Sequence, residues 1–199
     1  MRIREPLISA WRLLVHGVVA ATIILVCGTF LHEGGHALVT LLSGGEVTEV
    51  VILGIRVFPE VSLYGEFRSF GHVRNAAALD PIPQAWSGVA GSGTTALVGL
   101  LAFLLWNRSS RTGVVRTAQL ACMALVFDAF CHSLPWIGIP MYVVFGSFTG
   151  KDPRMSELVA GSIELGVPEG LIYSFVFALP IVVVVEVART MWRRRKAAD

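Results

Sequence analysis

Charged residues are scarce in this chain. Lys, Arg, Asp and Glu make up only 15% of its 199 residues, whereas 54% are hydrophobic, and the mean hydropathy is +0.69. This balance excludes an ordinary soluble domain and predicts an integral membrane protein with one domain over 1–199. The basic residues flank apolar runs and form no face interleaved with aromatics, so the sequence predicts no nucleic-acid partner.

Cysteine is also scarce, which excludes a disulfide framework. The three cysteines, Cys27, Cys122 and Cys131, all lie in apolar runs. The spacing between Cys122 and Cys131 does not match a zinc finger. We therefore interpret all three as small packing residues rather than metal ligands.

The sequence contains several long apolar runs. Four of them approach the roughly 20 residues that a membrane-spanning helix needs, and they cover 8–43, 84–106, 114–134 and 169–192. Between the first two, 46–70 is rich in β-branched residues broken by Gly and Pro, which predicts a small β-hairpin or sheet lying against the membrane. A short helix is expected at about 155–165. The predicted fold is an all-α polytopic membrane protein with about four transmembrane helices and this one small β element.

The basic residues are concentrated on one side of the predicted membrane. With four spans, both termini share a side, and the positive-inside rule places that side in the cytoplasm. The sequence thus predicts a multi-pass protein of the cell membrane with cytoplasmic termini. The basic residues on that side are Arg2, Arg4, Arg12, Arg108, Arg111, Arg116, Arg189, Arg193, Arg194, Arg195 and Lys196.

The most informative motif is His32-Glu33-Gly34-Gly35-His36, which lies within a highly apolar stretch. Residues four apart share a helix face, so both histidines can bind one metal ion. Glu33 projects from nearly the same face, where it can polarise a metal-bound water. This H-E-x-x-H pattern is typical of metalloproteases and predicts Zn²⁺ as the cofactor. The alternative is a polar patch that packs the helix, but ionisable groups in lipid favour a functional interpretation.

A catalytic zinc needs a third protein ligand, and Asp128 is the favoured candidate. His36 lies seven residues before the end of its span at 43, and Asp128 lies seven residues before Pro135, which stops its span. Both are therefore expected about 10 Å below the same membrane face at 1.5 Å per residue. The structural alternative for Asp128 is a carboxylate hydrogen-bonded to a neighbouring helix. His132, one turn further along, is the rival as a ligand, as a partner of a ligand or as a substrate-facing group.

The second span contributes hydroxyl groups at about the same depth. Ser92, Thr94 and Thr95 lie in a run of small residues that permits close helix approach. For each hydroxyl, packing between helices competes with a role in holding substrate or a developing oxyanion. We retain Ser92 and Thr95 as candidates for substrate or oxyanion contact.

These motifs together resemble the site-2 protease family of intramembrane zinc metalloproteases, especially its short, minimal members. The similarity covers most of the chain: HEGGHALVTLLSGG, a β segment, a helix with AGSGTT and a helix with VFDAF. The resemblance implies zinc held by His32, His36 and Asp128, with Glu33 as the catalytic acid/base. It also implies a three-helix core and a β element that binds substrate as an added strand.

The chain departs from the family pattern in two motifs. The usual Leu-Asp-Gly is replaced by Phe127-Asp128-Ala129, and the asparagine expected in the second helix corresponds to Thr95. Family members commonly place the zinc toward the cytoplasm, whereas the charge distribution places this site toward the opposite face. The zinc ligands are unaffected by these departures.

The sequence therefore predicts an intramembrane zinc metalloprotease that acts on a transmembrane protein or peptide within the lipid bilayer. The alternative is a non-proteolytic zinc-binding scaffold or regulator that captures helices, and Glu33 disfavours it because a structural site would not need that carboxylate. A zinc transporter is the third hypothesis. It is disfavoured because the first span is apolar between His32 and His16, which leaves no polar path.

Overall fold

The computed structural model describes residues 4–65, 70–106, 113–133 and 157–196. The protein is mostly helical, with a small four-stranded antiparallel sheet after the first helical segment. Three helices in the described ranges are long and apolar enough to span a membrane, namely Ala10–Leu42, Pro81–Leu104 and Glu169–Arg193. They indicate a multi-pass membrane protein.

The first helical segment carries the histidine motif. It consists of α1 (Arg4–Ala21), a π-helical stretch (Thr22–Cys27) and α2 (Gly28–Leu42). The segment ends where the sequence predicts, because Gly44 adopts a left-handed conformation with φ of 78° and the Gly45 amide donates to the Thr40 carbonyl at 2.9 Å. This cap turns the chain directly into the sheet.

The sheet is larger than the predicted segment 46–70. Its strands are β1 (Val47–Ile52), β2 (Ile55–Phe58), β3 (Ser62–Leu63) and β4 (Gly71–Asn75), in the order β3-β2-β1-β4. The first three strands fall within the prediction, and β4 lies beyond it. β4 pairs antiparallel with β1, with Val51 opposite His72, and forms one edge of the sheet.

A buried carboxylate connects three of these strands. Glu49 of β1 lies 2.7 Å from Arg56 Nε of β2, 3.2 Å from His72 Nε2 and 3.4 Å from Arg74 Nη1 of β4. The hydrogen bond with His72, together with the hydrogen bond and charge of Arg56 and the charge of Arg74, holds the pKa of the Glu49 carboxyl below its ordinary value. Ionised Glu49 therefore stabilises the folded sheet.

Acid should loosen the sheet. Since the folded-state pKa of Glu49 is depressed, its stabilisation is present above the ordinary value of 4.5 and is lost as the pH falls through the lower folded-state value. Glu49→Gln should destabilise the sheet at neutral pH by about 1–3 kcal/mol and reduce this acid dependence. The protection of the Val47–Ile52 amides against hydrogen exchange, relative to the unfolded chain at the same pH, measures both effects at neutral and acidic pH. Exposed Glu60→Gln is the control. Equal acid sensitivity in Glu49→Gln and wild type would contradict the assignment.

The third predicted span, 114–134, is divided into α4 (Gly113–Ala124) and α5 (Phe127–Ser133). At the break, the Leu125 and Val126 amides donate to carbonyls only three residues earlier, at 3.1 and 3.3 Å. The break packs onto Gly99 of α3 (Pro81–Leu104), where an added Cβ would lie 2.6 Å from the Val126 side chain. Three of the four predicted spans are thus long apolar helices in the described ranges.

Two further helices complete the described structure, α6 (Glu157–Glu164) and α7 (Glu169–Lys196). α3 packs against α2, α4, α5 and α6. The α3–α6 contact is close because both helices have glycine there: a Cβ at Gly88 would lie 2.8 Å from the Glu157 carbonyl oxygen, and a Cβ at Gly161 would collide with the Ala85 carbonyl. α6 is thereby fixed beside the half of α3 that faces the histidine motif.

Candidate metal centre

Both histidines of the motif face α3. The ring centroids of His32 and His36 lie 4.9 Å apart. An added Cβ at Gly91 of α3 would lie 2.8 Å from His32 Nε2 and closer still to His36 Nε2. The Nε2 atoms of the two rings therefore converge on one point in front of Gly91.

The other ring nitrogens contact oxygen atoms on neighbouring helices. His36 Nδ1 lies 2.7 Å from the Ser87 carbonyl oxygen, and His32 Nδ1 lies 2.8 Å from Asp128 Oδ2. A carbonyl only accepts hydrogen bonds, so we assign the proton of His36 to Nδ1 and its lone pair to Nε2. The carboxylate favours the same assignment for His32. Metal-binding histidines are commonly held in this way, with the second nitrogen donating to a carbonyl or carboxylate.

A carboxylate from α6 joins the two histidines. Glu157 Oε2 lies 3.3 Å from His36 Nε2, and one ligand atom from each of His32, His36 and Glu157 lies within 4.8 Å of the others. The Glu157 side chain is 67% exposed, whereas those of His32 and His36 are 14% and 11% exposed. The group is therefore buried on its histidine side and open at Glu157.

Glu157 is the site residue that the sequence prediction missed. It follows the third predicted span, and the predicted four-span topology puts this connector on the same membrane side as the C-terminal end of the first span. That predicted topology was the available signal, because it lets an acidic residue of the connector approach the histidines. Its actual place depends on the contact between Gly88 and the Glu157 backbone.

Asp128 lies beside His32, at the depth that the sequence predicts, but on the Nδ1 side of the ring. Its Oδ2 atom receives a hydrogen bond from the Thr95 hydroxyl at 2.8 Å, in addition to the contact with His32. Thr95 is 1% exposed. The structure thus brings Thr95, Asp128 and His32 together in one chain of contacts, and a direct role of Asp128 as a metal ligand stays a prediction.

Glu33 is buried beneath the edge strand. An added Cβ at Gly71, the first residue of β4, would lie 2.6 Å from Glu33 Oε1. Position 71 therefore has no room for a side chain, and the strand backbone passes directly over the carboxylate. Glu33 is only 7% exposed, so its side chain is buried against the first residue of the edge strand.

The remaining predicted residues are distributed around this group. Ser92 is buried in α3, and its carbonyl oxygen lies 2.9 Å from the Thr95 hydroxyl, as an alternative acceptor to Asp128 Oδ2 for the same proton. The Thr94 hydroxyl donates to the Leu31 carbonyl at 2.8 Å, which is a packing contact between α3 and α2. His132 belongs to α5, but its side chain lies outside the described part of the chain.

The donor set fits zinc. Two imidazole nitrogens and one carboxylate oxygen are a ligand set of catalytic zinc sites, which keep a fourth position for water. Gly91 contributes the space, because any side chain there would meet both Nε2 atoms. Comparison with protein-family models, curated proteins and solved structures finds no match for this chain. The chemistry of the site is therefore inferred from its own geometry.

Proposed function

We propose that this chain is an intramembrane zinc metalloprotease of the site-2 protease type, which hydrolyses peptide bonds of membrane-embedded proteins or peptides. The observation that supports it most is the convergence of His32 Nε2 and His36 Nε2 in front of Gly91 of α3. Both histidines belong to α2, the helix that also carries Glu33. In this proposal the histidines supply two nitrogen ligands and a carboxylate supplies the third.

The residues around the histidines then have distinct tasks. When bound, zinc supplies a Lewis acid that activates water and polarises the scissile carbonyl. Glu33 would be the general base, taking a proton from the attacking water and giving it to the leaving amine. The Asp128 carboxylate and the Ser87 carbonyl hold the two imidazoles through their Nδ1 atoms, so that Nε2 faces the ion.

The edge of the sheet is the proposed entry for substrate. β4 begins at Gly71 against Glu33, so an extended segment that pairs with β4 would bring its backbone beside the proposed catalytic carboxylate. Around β2 and β3, Phe58, Val61 and Leu63 are exposed apolar residues, which favours contact of the sheet with the membrane surface. A transmembrane substrate would therefore unwind near this face before cleavage.

The proposed topology has four crossings. Three crossings are the long apolar helices, and α4 and α5 together form the remaining one. Both termini lie in the cytoplasm, as the distribution of basic residues predicts. The His32–His36 pair then lies toward the non-cytoplasmic face. Accessibility labelling of single cysteines at positions 60 and 196 would test this orientation from opposite sides of the membrane, because position 196 lies beyond the end of the fourth span.

Metal removal tests the function directly. The purified protein in detergent should contain stoichiometric zinc and cleave members of a panel of single-span peptides. A chelator should remove both zinc and cleavage, and added zinc should restore both, because cleavage requires the ion. Zinc content and peptide products of the same preparation are the measurements. Zinc binding without cleavage of any peptide would favour the scaffold hypothesis, and failure to bind zinc would overturn both.

A further inference from the structure

Building on the proposed function, we propose that Glu157 is the third protein ligand of the zinc, and that Asp128 is a positioning residue that acts through His32. The first argument is electrostatic. In the neutral imidazole, the hydrogen bond to the Ser87 carbonyl places the lone pair of His36 on Nε2, which lies 3.3 Å from Glu157 Oε2. A lone pair and a carboxylate at this distance repel each other, so the contact calls for a cation between them, and a metal ion bound to both atoms supplies it without protonating the ring.

The second argument is the position of Asp128. Its Oδ2 atom lies 2.8 Å from His32 Nδ1 and 2.8 Å from the Thr95 hydroxyl, both of which are hydrogen-bond donors in the assigned arrangement. Nδ1 and Nε2 project from different sides of an imidazole ring. A carboxylate engaged at Nδ1 therefore orients the ring and strengthens Nε2 as a ligand, while an ion at Nε2 is bound by other residues.

The third argument is how Glu157 is held. Gly88 and Gly91 are three residues apart and share one face of α3. Gly88 receives the Glu157 backbone, with an added Cβ 2.8 Å from the Glu157 carbonyl oxygen, while Gly91 faces the two histidine nitrogens. The close contact at Gly161 fixes the next turn of α6 against α3. The same helix face thus positions all three donors, although the Glu157 side chain itself is exposed.

The two carboxylates can be distinguished by zinc affinity, measured by competition with a chromophoric chelator. Glu157→Gln should lower affinity by more than about 100-fold, beyond the about 10–100-fold that loss of a residue supporting a ligand costs. Asp128→Asn should stay within about tenfold of wild type, because an amide oxygen still accepts from His32 Nδ1. Asp128→Ala should lose about 10–100-fold. Exposed Glu164→Gln, on the same helix, is the control and should bind zinc like wild type.

Other outcomes separate this proposal from the proposed function. If Asp128→Asn loses affinity as strongly as Asp128→Ala while Glu157→Gln binds like wild type, Asp128 is the ligand and the assignment is overturned, with the protease hypothesis intact. Wild-type affinity in both Glu157→Gln and Asp128→Asn would also overturn it. Wild-type protein that binds no zinc would overturn the proposed function as well. Glu157→His replaces one ligand type by another and should recover zinc binding, which excludes misfolding as the cause of the loss.

Discussion

Replacing Glu33 by glutamine should lower the rate of peptide cleavage by about 10²–10⁴-fold, the usual contribution of a general acid–base group, while zinc stays bound. The amide has nearly the same shape as the carboxylate but cannot accept the proton of water. Glu33 is buried against Gly71, and an isosteric side chain fits the same space. The rate on a single-span peptide and the zinc content of the same sample test both parts of the prediction.

Glu60→Gln is the matched control for this variant. Glu60 is an exposed carboxylate near the sheet, outside the proposed site, and its replacement should change neither zinc content nor rate. If Glu33→Gln loses zinc, Glu33 is a metal ligand and its assignment as the general base is wrong. If Glu33→Gln retains both zinc and the full cleavage rate, Glu33 is not the general base, because the glutamine amide cannot accept the proton of water.

The long helices were predictable because their signals are local. The length of an apolar run sets a membrane-spanning helix, and Gly44 marks the end of the first helical segment through a backbone conformation that glycine favours. The H-E-x-x-H spacing is equally local, because i and i+4 positions share a helix face wherever the helix lies. Hydropathy and spacing alone were therefore sufficient for these features.

Features that depend on distant partners were missed. β4 carries His72 and Arg74, which are unusual in a strand until Glu49 of β1 is placed beside them. The break between α4 and α5 follows from packing of Val126 onto Gly99, which no local pattern reports. Sequence periodicity contains no information about such contacts until the tertiary partner is known.

The residues of the site also divide into those predicted from local sequence signals and those whose positions depend on distant contacts. Counting residues to the ends of the spans placed Asp128 at the depth of His32, and the two side chains are in contact. Depth does not specify which ring nitrogen a carboxylate meets, and that choice separates a metal ligand from a residue that orients one. Glu157 was missed because its position is set by close contacts at Gly88 and Gly161 rather than by its own neighbours in sequence.

Gly91→Ala should abolish zinc binding, with a loss of affinity of more than about 100-fold, larger than that for loss of a residue that only supports a ligand. A methyl group at this position would lie 2.8 Å from His32 Nε2 and closer to His36 Nε2, in the space where the nitrogens converge. Retreat of the α3 backbone from α2 would open the close contact between its Ala90 carbonyl and Gly35 of α2. The imidazoles must therefore move apart, and their Nε2 atoms can no longer bind the same ion.

Gly93→Ala is the control, because it makes the same change two residues away where an added Cβ meets nothing within 4 Å. Alanine favours a helix over glycine by about 0.5–1 kcal/mol, so helix propensity cannot explain a loss in one variant and not the other. Chelator competition and peptide cleavage should both fail for Gly91→Ala and both remain for Gly93→Ala. Wild-type zinc affinity in Gly91→Ala would mean that the ion is not bound between the two Nε2 atoms. The central geometric argument for a hydrolytic site in this membrane would then be wrong.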